Sequence, residues 1–197
     1  TANFAINQYV VVVSSNPQNG GTLSGGGTYS HGETVTLNAT PSEGYEFLNW
    51  TEGGVEVSTD ANYSFNATAD RLLTANFALK SYTLETQVSG EGSIQRTPDK
   101  ALYTHGEIVE LTAVPDNGWG FVGWRGDLEG SENPTEINMN GDKSVTATFA
   151  RNQYTVNLVV EPQEGGTVGG GGVYSFGDEA TVTAQVSDCY LFTGWYE

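Results

Sequence analysis

Two histidines, His31 and His105, are the only imidazoles in the chain, and each stands in the same short context, "YSHGE" and "YTHGE". Imidazoles at matching positions could serve a metal site or an acid–base pair. A third occurrence of the context, "YSFGD", places Phe176 where the others have histidine. A ring that Phe replaces within one protein reads as packing, and a zinc site wants three or four converging ligands that do not cluster here. The glycine runs Gly25–Gly27 and Gly169–Gly172 resemble phosphate-cradling loops only superficially. Such loops need the N-terminus of a following helix and a Lys or Ser/Thr at set spacing. Neither is present, so flexible hairpin connections are expected. Ser, His and Asp all occur, but without the oriented nucleophile and base that acyl transfer requires. No catalytic residue, metal ligand or cofactor site is expected, and the chain reads as a non-enzyme.

Aromatic side chains are the stronger candidates. Trp50, Trp124 and Trp195 each stand three residues after a phenylalanine, Phe47, Phe121 or Phe192. Flat aromatics stack on sugar rings and anchor protein interfaces, but a small domain also needs them for its core. The three tryptophans read as core. The position held by Tyr45, Trp119 and Tyr190, beside a turn, is the candidate binding position, its partner a host or microbial glycan or a surface protein.

These residues recur because the chain repeats. "TANFA" at Thr1–Ala5 returns at Thr74–Ala78 and, as "TATFA", at Thr146–Ala150, which makes a module of about 72 residues. Residues 8–80 and 81–152 are complete copies, 153–197 is a truncated third, and 1–7 reads as the closing strand of a preceding copy. Within a copy, "QYVVVVSS" is a β-branched run ended by the turn residues "NPQNGG". "TVTLNAT" alternates Val35, Leu37 and Ala39 against Thr34, Thr36 and Asn38, the pattern of a half-buried strand. Val109, Leu111 and Ala113, then Val182, Ala184 and Val186, repeat it. The odd Phe-to-Trp spacing puts the rings on opposite faces of a regular strand, so a bulge next to the Trp is expected in every copy. "EGGVEV" reads as a hairpin turn, "NYSFNAT" as a strand and "RLLTANFA" as the closing strand. No segment has helical periodicity.

Composition agrees with β structure and turns: 26 Gly, 10 Tyr, 8 Phe and 4 Trp among 197 residues. The formal net charge of −17 is an even coating, with 2 basic against 7 acidic residues in the first copy, 5 against 11 in the second and 0 against 6 in the third. Nucleic acid and anionic membrane both need a basic face and are excluded as partners. No run has the length of a membrane span. Cys189 is the one cysteine and stands where the other copies have Gly44 and Gly118, glycines suited to a turn with positive φ.

The ordered set of a strand-opening Tyr, a "GG" turn, "Y-x-x-G-E" before an alternating strand, "P-x-x-G-[YW]-x-F-x-x-W" and "TANFA" resembles the divergent internalin B-repeat family, relatives of the Listeria-Bacteroides repeat. The resemblance covers essentially the whole chain. It implies tandem modules of bacterial cell-surface or secreted proteins, β-grasp-like in fold, with no catalytic residues. Together with the absence of a helix candidate, the expectation is an all-β chain of small tandem sheet domains arranged as an elongated rod, serving as stalk or adhesive surface. The third copy lacks a closing strand while Thr1–Ala5 is an unpaired strand of that type. Head-to-tail self-association is expected from that mismatch.

Overall fold

A computed structural model describes the whole chain, Thr1–Glu197. It is built of strands, with one 3-10 turn at Gln163–Gly165 and no α-helix. In the first repeat the strands are β1 (Gln8–Asn16), β2 (Gly21–Ser24), β3 (Gly27–Ser30), β4 (Thr34–Pro41), β5 (Tyr45–Glu52), β6 (Val55–Ser58), β7 (Asn62–Asn66) and β8 (Arg71–Leu79). Branching at Cβ holds the Val10–Val13 run extended, and the two glycines of the β5–β6 loop, Gly53 and Gly54, both take positive φ, as a two-residue hairpin requires.

These strands form two sheets, ordered β3-β1-β8-β5-β6 and β2-β4-β7. β1 and β8 run parallel, Val11 beside Arg71 through to Asn16 beside Asn76. A parallel pair needs a long crossover, and here it runs through β2 to β7, which supply the whole second sheet and the remaining strands of the first. The two sheets close on one core of Val11, Val35, Leu37, Ala39, Trp50, Leu73, Ala75 and Phe77. The outward positions leave Val10, Val12 and Leu72 exposed, and beside them short polar side chains pair across strands: Ser14 with Thr74 at 3.1 Å, Asn16 with Asn76 at 3.0 Å and Thr36 with Ser64 at 3.1 Å. Asn38, Asn49, Asn62 and Asn66 all belong to these cross-strand ladders, which accounts for the abundance of Asn and Thr.

Contacts divide the chain into two compact units, Thr1–Leu84 with Lys100–Ile108 and Asn138–Lys143, and Glu85–Asp99 with Val109–Ile137 and Ser144–Glu197. The first unit holds the whole first repeat and a short pair formed by β9 (Ser81–Tyr82) with a later strand. The second repeat continues with β10 (Leu84–Ser89), β11 (Gly92–Thr97), β12 (Tyr103–Thr104), β13 (Glu107–Pro115), β14 (Trp119–Gly126), β15 (Thr135–Met139) and β16 (Lys143–Arg151). β12 is the partner of β9. In the second unit, apart from a few terminal residues, lie the sheets β10-β16-β14 and β11-β13-β15. Val109, Leu111, Ala113, Trp124, Val145, Ala147 and Phe149 are buried there, the counterparts of the first core.

The expected bulge is present in both complete repeats. Phe47 pairs with Phe77 and Asn49 with Asn76, so Leu48 is the extra residue; Val122 is extra in the same way between Phe121 and Gly123. The insertion turns both rings inward. Phe47 and Trp50 are 6.0 Å apart, Phe121 and Trp124 5.1 Å, while Leu48 and Val122 point out to solvent.

Several expectations are corrected. The Gly25–Gly27 run does not close a hairpin, because β2 pairs with β4 whereas β3 pairs with β1. It carries the chain from one sheet to the other, and the hydroxyl of Tyr29 fixes it by donating to the Gly25 carbonyl at 2.7 Å. Tyr174 and Gly170 repeat that bond at 2.7 Å, so the connection is clamped. The third repeat has β17 (Gln153–Val156), β18 (Gly166–Gly169), β19 (Gly172–Ser175) and β20 (Thr183–Val186), but Tyr190–Glu197 forms no strand and so no bulge. β20 is exposed throughout, although its alternation matches that of β4. Thr1–Asn7 forms no strand either.

Candidate functional site

The turn before each aromatic strand is built the same way in all three repeats. Tyr45 N–H donates to Ser42 O at 3.0 Å, Trp119 N–H to Asp116 O at 3.0 Å and Tyr190 N–H to Ser187 O at 3.2 Å. The residue before each aromatic has positive φ: 75° at Gly44, 79° at Gly118 and 71° at Cys189. Only glycine adopts that region without cost, so the exposed Cys189 is strained where its counterparts are not.

The "Y-x-x-G-E" motif makes a second turn that presents a ring. The acid closes it: Ser30, Thr104 and Ser175 donate their N–H to Glu33, Glu107 and Asp178 at 2.9, 3.1 and 2.8 Å. The glycines within it, Gly32, Gly106 and Gly177, have φ of 81°, 81° and 85°. At its tip stand His31, His105 and Phe176. His105 in the first unit packs on Gly44, where a Cβ would strike the imidazole, and Phe176 in the second unit packs on Gly118 in the same manner. Both glycines are buried.

A chain of backbone hydrogen bonds ties turn, connecting residue and ring together. Lys80 N–H donates to Gly44 O at 2.8 Å, and His105 N–H donates to Lys80 O at 2.8 Å. Asn152 N–H donates to Gly118 O at 2.9 Å, and Phe176 N–H to Asn152 O at 2.8 Å. His31 has the inner half of this arrangement, its N–H on Asn7 O at 2.8 Å and its ring 5.9 Å from Tyr9. Tyr82 and His105 stand 6.0 Å apart at a nearly equal tilt. Each imidazole is therefore part of a ring pair, and no group of three or more His, Cys, Asp or Glu side chains is gathered as a metal site.

The candidate aromatics sit at these joints. Tyr45 is half-buried and lines a cleft of about 490 Å³ with Glu43, Glu46, Lys80, Tyr82 and His105. The Nδ1 of that histidine is buried without a hydrogen bond. Trp119, also half-buried, lies under the Arg151 guanidinium at 5.8 Å, and Arg151 in turn reaches Asp178 at 3.9 Å. Tyr190 is exposed, its hydroxyl 3.4 Å from Glu164. Tyr45 belongs to the first unit, Trp119 and Tyr190 to the second. The tryptophans of the aromatic strands divide differently: Trp50 is 0% and Trp124 3% exposed, their indole N–H groups donating to Ala61 O and Glu132 O, whereas Trp195 is 44% exposed.

Sequence reasoning missed the ring-on-glycine joint. The signal was the exchange of His for Phe beside a motif whose other landmark, the turn glycine, lies in the preceding copy.

A family model described as the divergent InlB B-repeat domain matches residues 11–81, 82–153 and 156–197. No curated protein matches the chain.

Proposed function

Because the chain belongs to the divergent InlB B-repeat domain family, we propose that it is a non-catalytic tandem segment of a bacterial cell-surface or secreted protein, and that its task is to hold what it carries at a set distance. The observation behind this reading is the joint, in which a ring of one repeat fills the space over a buried glycine of the repeat before it. A connection of one residue, Lys80 or Asn152, between closing and opening strands, stitched on both sides by backbone hydrogen bonds, has little freedom to swing, and a spacer needs that stiffness. Evenly spread negative charge supplies solubility. Small-angle scattering of the protein beside a Gly44→Ala, Gly118→Ala double variant tests the reading. A narrow distance distribution that broadens in the variant supports it; identical profiles from both sink it.

A second reading, an adhesive module, is favoured by one observation. The Tyr45 cleft combines aromatic faces with a cation and carboxylates, the mixture that stacks on and hydrogen-bonds a sugar. Screening against immobilised glycans tests it, and retention unaffected by Tyr45→Ala would remove that cleft from consideration.

A further inference from the structure

The first complete repeat is entered along one strand and left along that strand's neighbour. β1 takes the chain in at Gln8 and β8 lets it out at Leu79. The two run side by side and parallel, in register from Val11 beside Arg71 to Asn16 beside Asn76. Entry and exit therefore lie at opposite ends of one ladder. Tension along the chain draws β1 and β8 in opposite directions along their common axis, so the rungs between them are loaded together and none opens ahead of the rest. On its other side β8 is held by β5, from Tyr45 beside Leu79 to Glu52 beside Leu73, and drawing β8 along its axis shears that ladder too. Two strands peeled apart from one end give up their hydrogen bonds singly, and each is worth only about 0.5–1.5 kcal/mol net.

Side chains tie the same three strands. Asn16 Nδ2 donates to Asn76 Oδ1 at 3.0 Å, and Asn76 Nδ2 donates to Asn49 Oδ1 at 2.9 Å, an amide row that crosses β1, β8 and β5. One row away Ser14 Oγ and Thr74 Oγ1 are 3.1 Å apart. Where the ladder starts, the Asp70 carboxylate accepts the N–H of Val10 at 2.7 Å. The inward side chains Val11, Leu73, Ala75 and Phe77 lie in the core, so sliding also drags them past close-packed neighbours. The second repeat has the same entrance: Thr83 N–H donates to the Asp142 carboxylate at 2.8 Å and Lys143 N–H to Thr83 O at 2.9 Å, where β10 and β16, neighbours in their sheet, begin.

We propose that each complete repeat is a load-bearing module, a shear clamp that keeps its fold while the chain is under tension. The joints limit how far one repeat swings on the next; the clamp limits how far a repeat extends. The use of the clamp rests on the chain being a spacer, but its strength does not, and the two are tested apart because scattering senses the joints and force senses the ladder.

Single-molecule stretching tests this on the 197-residue chain carrying Cys189→Ser, so that handles attach only where they are placed. Held by its two ends, the chain is expected to lengthen in two abrupt events, each releasing about 72 residues, one for each complete repeat. Handles moved to Gln18→Cys and Lys80→Cys, both exposed positions, sit at the same end of the β1–β8 ladder, where force opens the Asn16–Asn76 rung first and the others in turn. Forced unfolding follows the barrier along the pulled direction, and in this geometry the first repeat is expected to give way at roughly half the force of the weaker end-to-end event, or less. Equal forces in the two geometries overturn the proposal, because the resistance then comes from the stability of the fold as a whole and not from the ladder. End-to-end lengthening that is gradual, without abrupt events, overturns it as well.

Discussion

The imidazole of His105 occupies the place where a side chain on Gly44 would begin, so that the Cδ2, Cγ and Nε2 atoms all lie too close for a Cβ to fit. Gly44 is thus held as glycine twice over, by its φ of 75° and by the ring.

Two alanine substitutions separate those causes. Gly32 has a comparable φ of 81° with nothing within 4 Å of its Cβ position, so Gly32→Ala carries only the left-handed cost of about 1–2 kcal/mol. Gly44→Ala carries that cost plus displacement of the ring, a further 1–3 kcal/mol or about that. Urea denaturation of the two variants gives the difference, and in a His105→Ala background the extra loss at Gly44 disappears. Equal losses in the native background would show that the ring contact contributes nothing.

His105→Phe is expected to raise stability. The substitution installs the residue that Phe176 already provides at the equivalent joint and removes a buried Nδ1 that has no hydrogen-bond partner. An unsatisfied buried polar atom costs about 1–3 kcal/mol, and the midpoint of chemical denaturation should rise accordingly. A midpoint that falls means the imidazole has a partner in solution.

Acid weakens the first unit through Glu52. The Arg71 guanidinium donates to its carboxylate at 2.7 Å from Nη2 and at 3.0 Å from Nε, and this hydrogen bonding holds the Glu52 carboxyl below its ordinary value of 4.5 while raising Arg71. A carboxylate with a depressed folded value contributes stability above its unfolded value and loses it as pH falls through the folded one. Melting temperature should therefore decline below about pH 4.5, and the Glu52→Gln variant should be less stable at neutral pH with a shallower acid decline. Asp142, whose carboxyl is lowered by the backbone N–H of Thr83, leaves some decline in that variant. An acid limb of unchanged steepness in Glu52→Gln assigns the loss to other carboxylates.

Much of the fold follows from local chemistry along the strands. The alternation of Val35, Leu37 and Ala39 marks a face that is in fact buried, because in a strand the period of two alone decides which side chains share a side. The odd interval from Phe47 to Trp50, with both rings needed in one core, demands the bulge that Leu48 supplies. What a strand pairs with is another matter. Nothing in "TLSGGGTYS" tells that its halves join different sheets, since alternation reads the same whichever neighbour accepts the hydrogen bonds. The joint was hidden for a similar reason: Gly44 and His105 belong to different copies, and laying the copies under one another aligns each with its own equivalents and never with its partner. In the third repeat Val182, Ala184 and Val186 have the right alternation yet β20 stays exposed, because a pattern confers burial only when a covering strand is there.

Both parts of the joint are carried at one register by each repeat, the ring near the start and the positive-φ turn later on. A duplication or deletion that removes one whole period, wherever inside the repeat its breakpoints fall, yields a hybrid that still begins with a ring and still offers a turn to its successor. Copy number can therefore drift by unequal recombination without any interface having to be invented again, provided the turn residue stays glycine. Cys189, with its φ of 71°, marks the one copy in which a descendant of such an event would place a side chain in the path of the incoming ring.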